Sequence, residues 1–412
     1  MKKIVVYFCG WGQRWPLGTL ADNGRDLLFE YSAEALAQGI AFSPRHLQLR
    51  AQAYGDFPAH QFRLPGLIAD ALPDGWGLRL MDQVFARLGV RPHEISPLDR
   101  LAFLGDRAMG ALTFEPAADI ALPASDVALL TLAREVKTVV EDRDSAALMQ
   151  LAVIGGSPQG ARPKALVQYD PAAGFISTLP SAAGTPWLVK FPAQGEHKEV
   201  CAVEHLYARL AGDCGLDMPR TACFDLGRDM AAFAIERFDR QAGMRVPVHT
   251  LAGALHADFR VPSTSYQTLL RNTRAMTRSE REVEKAFERC VFNVIFNNRD
   301  DHAKNFSYRM DERLSWKLAP CYDLTFCDGP GGEHQMDIEG EGRYPGRAQL
   351  LRLASSNGLD ASRAADTIVR MVAVASQLAT LAREHPIRPA TRKRIAAAVA
   401  DNCRLVSAPP CA

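Results

Sequence analysis

Asp300, Asn305 and Asp323 are the residues of this chain whose types and spacing best suit chemistry. They lie in the run NRDDHAKNFSYRMDERLSWKLAPCYD, residues 298–323. Asn305 follows Asp300 by five residues, and Asp323 comes after two short runs of alternating apolar residues. Phosphoryl transfer needs little covalent help from a protein. It needs a carboxylate to orient an acceptor hydroxyl, and hard oxygen ligands to hold Mg²⁺ against the phosphates. On this reading Asp300 orients the hydroxyl, while Asn305 and Asp323 hold the metal. Aspartate and asparagine also collect in plain turns, because their side chains bond nearby backbone and tolerate left-handed geometry. The flanking elements weigh between these readings.

Residues 282–296 (EVEKAFERCVFNVIF) carry apolar positions at helical spacing with charges between them. Residues 306–310 and 314–318 read as two strands turned at 311–313. A helix, a polar loop, a hairpin and then an acid is the order in which a protein-kinase C-lobe presents its metal site. The Asp-to-Asn spacing also equals that of the kinase catalytic loop.

Two upstream segments offer groups for a nucleotide. Residues 155–164 (GGSPQGARPK) are a glycine-rich loop beside a strand, able to point N–H groups at phosphate, with Ser157, Arg162 and Lys164 adding polar and cationic groups. The spacing is not that of a P-loop, and a simple turn has the same composition. Lys190 interrupts the apolar strand WLVKF. It either faces solvent by strand alternation or grips phosphates with a carboxylate partner from a nearby helix. Glu204 is the favoured partner within the helix over 200–214; Glu199 competes for that role or serves the helix N-terminus. Residues 236–239 (ERFD) end a strand and suit either an adenine-binding hinge or a charged turn.

The chain has 412 residues, enough for two or three units. Its charge nearly cancels at +1, which argues against a globally basic nucleic-acid binder. The N-terminal apolar run, residues 4–9, is too short for a secretory core, and no apolar stretch approaches a membrane span. Nine cysteines without a CxxC pair point to reduced thiols in a cytoplasmic protein rather than disulfides or a zinc site. The organisation expected is an α/β N-terminal unit over 1–116, opening with a strand at 4–8 and closing with one at 110–114. A linker over 115–125 follows, with Ser125 and Asp126 capping a helix to about residue 140. Residues 125–239 then form a kinase N-lobe and 240–412 a mainly helical C-lobe, with helices over 279–297, 360–384 and 391–406. Strand signals fade beyond 239 apart from the hairpin.

In this order the motifs resemble the HipA family of bacterial serine/threonine kinases, the toxin halves of type II toxin–antitoxin pairs. DDHAKNFS, ERFDR (236–240) and APCYD carry the resemblance, with LPD at 72–74 and GDRAMGALTF at 105–114 similar to the family's N-terminal region. The resemblance implies a two-lobed protein-kinase-like fold using ATP and Mg²⁺. It makes Asp300 catalytic, Asn305 and Asp323 metal ligands and Lys190 the phosphate lysine. Glu236 and Phe238 fall in the hinge, and Gly160, Lys164, Glu204, His302 and Lys304 around ATP. Ser157, three residues before Gly160 and seven before Lys164, takes the autophosphorylated position, where a dianion would expel the loop. Pro158 and Pro163 stiffen that loop. Asp301 stands where the family has glycine, and its extra charge either tightens metal or blunts activity. The resemblance also implies a small helix-turn-helix antitoxin (HipB-like) as partner, operator DNA reached only through it, and a protein substrate of the aminoacyl-tRNA synthetase class. A small-molecule phosphotransferase and a non-catalytic module acting through the antitoxin are the alternative functions.

Overall fold

The computed structural model describes residues 1–118, 126–140, 148–155 and 158–408. The first unit is built on an antiparallel sheet of order β4-β3-β2-β1-β5, from β1 (Lys3–Phe8), β2 (Trp15–Asp22), β3 (Leu27–Tyr31), β4 (Ala53–Tyr54) and β5 (Leu112–Glu115). Period-2 alternation sends Ile4, Val6 and Phe8 of β1 and Leu27, Phe29 and Tyr31 of β3 into one core. The Gly75–Arg87 helix packs its Trp76, Leu80, Met81 and Val84 side inward and lies against the Leu148–Gly155 helix.

The second sheet, also antiparallel, has the order β7-β6-β8-β10-β9: β6 (Lys164–Asp170), β7 (Phe175–Ser177), β8 (Thr185–Lys190), β9 (Thr221–Asp225) and β10 (Ala231–Glu236). The Glu199–Asp213 helix covers β9 and β10 and gives way at Gly215, whose φ of 79° is left-handed. The C-terminal part gathers helices around Glu280–Ile295, which buries Val283, Phe287, Cys290, Val291 and Val294 at helical spacing.

Several elements differ from expectation. Past residue 239 the chain forms short strands that were not anticipated, β11 (Arg240–Gln241), β12 (Met244–Arg245) and β13 (Val248–Thr250). β13 joins β14 (Ser307–Met310) and β15 (Trp316–Leu318) in a small sheet. Two- and three-residue strands are too short to display alternation. Asp126 does not cap the Leu129–Val140 helix in the manner expected. Its carboxylate accepts from the Val127 N–H at 2.9 Å and the Thr178 N–H at 2.7 Å, tying the helix lead-in to the end of β7; Ser125 lies outside the described residues. The 360–384 helix breaks after Ala375. Contrary to the expectation that no stretch approaches a membrane span, Ala361–Glu384 is long and apolar enough by length and composition. It packs with one face on the core, however, and only 39% of its apolar window is buried. Ala364, Ile368 and Met371 are buried, and Arg363 and Arg370 pair with Glu284 at 3.0 Å and Glu288 at 2.8 Å. All eight described cysteines are free thiols.

The ERFDR run joins the two parts. Buried Asp239 takes the Gly110 N–H at 2.8 Å and pairs with Arg237 and Arg240, each at 2.8 Å. Arg240 and Arg245 reach the Gly110 carbonyl at 3.1 and 3.2 Å.

Candidate active site

The Glu280–Ile295 helix ends where Asn297 turns left-handed (φ 55°), and the Asn298 N–H reaches back to the Asn293 carbonyl at 3.0 Å. That is the Schellman pattern, here with asparagine instead of glycine at the left-handed position. It directs the chain into the polar loop. Arg299 N–H bonds the Cys327 carbonyl at 3.2 Å and Cys327 N–H the Asn297 carbonyl at 3.1 Å, so the loop lies against the segment just past Asp323. Asn305 Nδ2 donates to the Asp300 carbonyl at 2.7 Å, which closes the loop and leaves the amide oxygen as its acceptor. The Tyr322 hydroxyl joins both halves, donating to the Lys304 carbonyl at 2.6 Å and meeting Ser307 Oγ at 2.5 Å.

Asp323 sits at φ 55°, and its Oδ1 receives Lys190 Nζ at 2.6 Å. Lys190 also contacts Glu204 Oε1 at 2.5 Å, and Arg162 takes the other Glu204 oxygen at 3.2 Å while pairing with Glu196 at 3.0 Å. Lys190 therefore faces the cleft, and Glu204 is its helix partner. The competing Glu199 instead holds Arg388 at 2.6 Å and Thr391 at 2.8 Å on the C-terminal helix. Burial opposes charge on Lys190, but Asp323 and Glu204 outweigh it and hold the ammonium protonated. Burial likewise opposes the Asp323 anion, which Lys190 and Lys164 keep well below the usual carboxylate range. The Asp300 carboxyl is pushed up, by burial first and then by the nearby acids, against the pull of His302.

Lys164 stands directly across from Lys190 in the β6–β8 register and donates to the Gln159 carbonyl. Burial and the facing Lys190 push it down to about 8. An anion bound between the two lysines would restore its proton. Nucleotide binding at pH 8, followed by calorimetry in buffers of different ionisation heat, should show uptake of about half a proton. Lys164→Met should remove that uptake.

His302 and Lys304 close the other side. His302 Nε2 is 3.8 Å from Asp300 Oδ1, and its Nδ1 accepts the Lys304 N–H at 3.2 Å. Lys304 Nζ meets Asp74 Oδ2 at 2.7 Å, and Asp74 Oδ1 accepts the Gly160 N–H. Asp74 is the site group that sequence reasoning missed. LPD was visible only as a family mark, and nothing local signals a partner 230 residues away.

The Glu236 side chain pairs with Arg220 at 2.7 Å on the sheet's outer edge, so any hinge role falls to backbone. Phe238 lies with its ring 5.5 Å from that of Tyr322. Ser157 lies outside the described residues. Asp301, whose charge is expected beside Asp300, does help push that carboxyl up, and it is itself buried. It accepts from Tyr266 Oη at 2.7 Å, His334 Nδ1 at 2.7 Å and the Gln335 N–H at 2.8 Å. Asp301→Gly should lower stability by about 3 kcal/mol in urea titrations, because three buried donors lose their acceptor. Nucleotide affinity should stay unchanged.

Among the described residues no cluster of three or more His, Cys, Asp or Glu is arranged for a metal ion. The donors available, the Asp323 carboxylate and the Asn305 amide oxygen, are hard ligands. They suit Mg²⁺, which takes the rest of its shell from phosphate and water. A buried Lys–Glu pair on a β-rich lobe, facing an Asp–Asn loop and a further Asp on a helical lobe, defines a protein-kinase-like fold.

Residues 156–379 match the HipA-like C-terminal domain and residues 11–115 the HipA N-terminal domain. The chain belongs to the HipA family. It is 26% identical over 282 residues to the candidate kinase Y4dM of Sinorhizobium fredii, covering 65% of this chain and 63% of that protein. A candidate kinase of Haemophilus influenzae is 27% identical over 152 residues, covering 32% of this chain and 43% of its own. The chain thus spans less than two thirds of either relative. The HipA of Shewanella oneidensis, solved with HipB and operator DNA, has a similar fold over 98% of this chain and 97% of its own, with a TM-score of 0.71 at 19% identity.

Proposed function

We propose that this chain is an ATP- and Mg²⁺-dependent protein serine/threonine kinase that phosphorylates a cellular protein and its own Ser157. The observation carrying this reading is the single Lys190 ammonium shared between Glu204 and Asp323, at 2.5 and 2.6 Å, beside the Asp300–Asn305 loop. Glu204 holds Lys190 in the cleft, where its charge meets phosphate oxygens. Asp323 and Asn305 are the ligands for Mg²⁺, which when bound neutralises charge on the transferring phosphoryl group. Asp300 accepts a hydrogen bond from the acceptor hydroxyl and aims it in line. Lys164, Lys304 and Gly160 N–H add positive potential around the phosphates.

The working division is 1–116 as an N-terminal unit, 125–239 as N-lobe and 240–412 as C-lobe. The HipA of Shewanella, seen with HipB and operator DNA, supports a small helix-turn-helix antitoxin as partner, with DNA reached through it. The family resemblance supports an aminoacyl-tRNA synthetase as the substrate class. The test is intact mass of the protein before and after incubation with Mg-ATP, followed by peptide mapping. One added phosphate on Ser157 is expected. No added phosphate, together with no rise in melting temperature on adding Mg-ATP, would sink the reading.

A further inference from the structure

Asp74 occupies the N-cap position of the Gly75–Arg87 helix, with extended backbone at φ −124° and ψ −172°, yet its side chain caps nothing. An aspartate there ordinarily accepts the N–H of the second or third helical residue. Here both oxygens turn away from their own helix. One accepts the Gly160 N–H of the glycine-rich loop, and the other holds Lys304 Nζ of the catalytic loop at 2.7 Å. The surrounding contacts make this a seat and not a chance touch. Trp76 N–H bonds the Gly160 carbonyl at 3.2 Å, and Gln159 Nε2 donates to the Asp70 carbonyl at 2.9 Å. A Cβ on Gly75 would lie 2.8 Å from Ala161 Cα, so the loop backbone rests directly on residue 75. Phe259 lies under the lysine, with Nζ 4.3 Å from its ring centroid.

The donors that Asp74 holds are of a particular kind. A loop N–H and a catalytic-loop ammonium, on opposite sides of the cleft, are groups that recognise phosphate. A carboxylate from the N-terminal unit fills both. Burial favours the neutral acid, but Lys304 and the Gly160 N–H hold the Asp74 carboxyl below its ordinary range, so it is an anion.

We propose that Asp74 is a latch that stands in for phosphate, clamping the glycine-rich loop and Lys304 to the N-terminal unit until a nucleoside triphosphate takes the same donors. The inference rests on the nucleotide-binding part of the proposed function. It makes nucleotide occupancy and the grip of the N-terminal unit mutually exclusive, and linkage requires each to weaken the other.

The test uses the full chain with Mg²⁺ and a non-hydrolysable ATP analogue, comparing wild type, Asp74→Ala, Asp74→Asn, Lys304→Ala and the Asp74→Ala/Lys304→Ala double variant. Melting temperatures identify which Asp74 variant is folded and fit for comparison. Without nucleotide, Asp74→Ala should raise hydrogen exchange across residues 159–164. With the analogue it should bind about tenfold more tightly, the gain expected if the latched form is about nine-tenths of the free protein. In the Lys304→Ala background the gain should shrink to about twofold or less. Simple removal of a repelling charge would leave loop exchange unmoved, and that outcome overturns the latch. Equal or weaker analogue binding by a folded Asp74 variant overturns it while leaving the kinase reading intact. A loosened loop with no analogue binding by any protein overturns both.

Discussion

Asp300→Asn is expected to lower phosphoryl transfer by about a thousandfold while leaving melting temperature and Mg-ATP affinity close to wild type. The separation of effects follows from how the loop is built. Its shape is held by main chain: Asn305 bonds the Asp300 carbonyl and not its carboxylate, and Arg299 and Asn297 pair with Cys327 through backbone. The Asp300 side chain is 44% exposed, and its ion-pair contact to His302 is long at 3.8 Å. Asparagine fits the same space but cannot take the proton or bear the charge that aligns a hydroxyl. Burial and then the neighbouring acids push the Asp300 carboxyl up, so wild-type activity should fall on acidification at a higher pH than an ordinary aspartate would give. A rate measured from pH 5 to 8 with labelled ATP checks both points. Retention of more than a tenth of wild-type activity by Asp300→Asn would remove Asp300 from the catalytic role.

How much of this site the sequence displays depends on whether its signals are local. The Asp300–Asn305 loop stands between a helix of clear 3.6 periodicity and a hairpin whose turn residue, Asp311, accepts the Arg313 and Ser315 N–H groups at 3.0 and 2.9 Å. Such patterns are readable because the forces making them act within a few residues. The Lys190 partner was readable only to within two candidates. Glu199 and Glu204 share a helix, and what separates them is a distant Arg388 that claims the first. The structural role of Asp301 is hidden for the same reason. Adjacency to Asp300 in sequence gives adjacency of charge, and Asp301 does help push the Asp300 carboxyl up, but nothing local shows that its carboxylate is tied to Tyr266 and His334. Asp74 was invisible as a site residue, since its value lies wholly in tertiary contacts. Glu236 shows what a motif match leaves open: its carboxylate serves Arg220, so the hinge reading there concerns backbone.

Lys190→Met is expected to remove activity and also to lower stability by about 3–5 kcal/mol, unlike Asp300→Asn. Lys190 and Glu204 are nearly fully buried, at 6% and 2% exposure, and Asp323 depends on the same ammonium. Removing the lysine leaves two carboxylates sharing one cleft without their common counter-charge. Arg162 still reaches Glu204 at 3.2 Å, which places the effect at the lower end of that range. Adding Glu204→Gln to Lys190→Met should then restore about 1–2 kcal/mol, because the second change removes a charge that the first left unpaired. The pH dependence carries a definite sign. Asp323 is held below its ordinary range in the folded state, against burial, chiefly by Lys190. Its contribution is therefore complete above the unfolded carboxylate value near 4 and is lost as pH falls below it. The gap between wild type and Lys190→Met should be full from neutrality down to about pH 4 and narrow below it, as read from urea midpoints between about pH 7 and pH 2. A gap that is constant across this range, or a variant as stable as wild type, would mean that the ion-pair triad does not hold the two lobes' chemistry together as its geometry indicates.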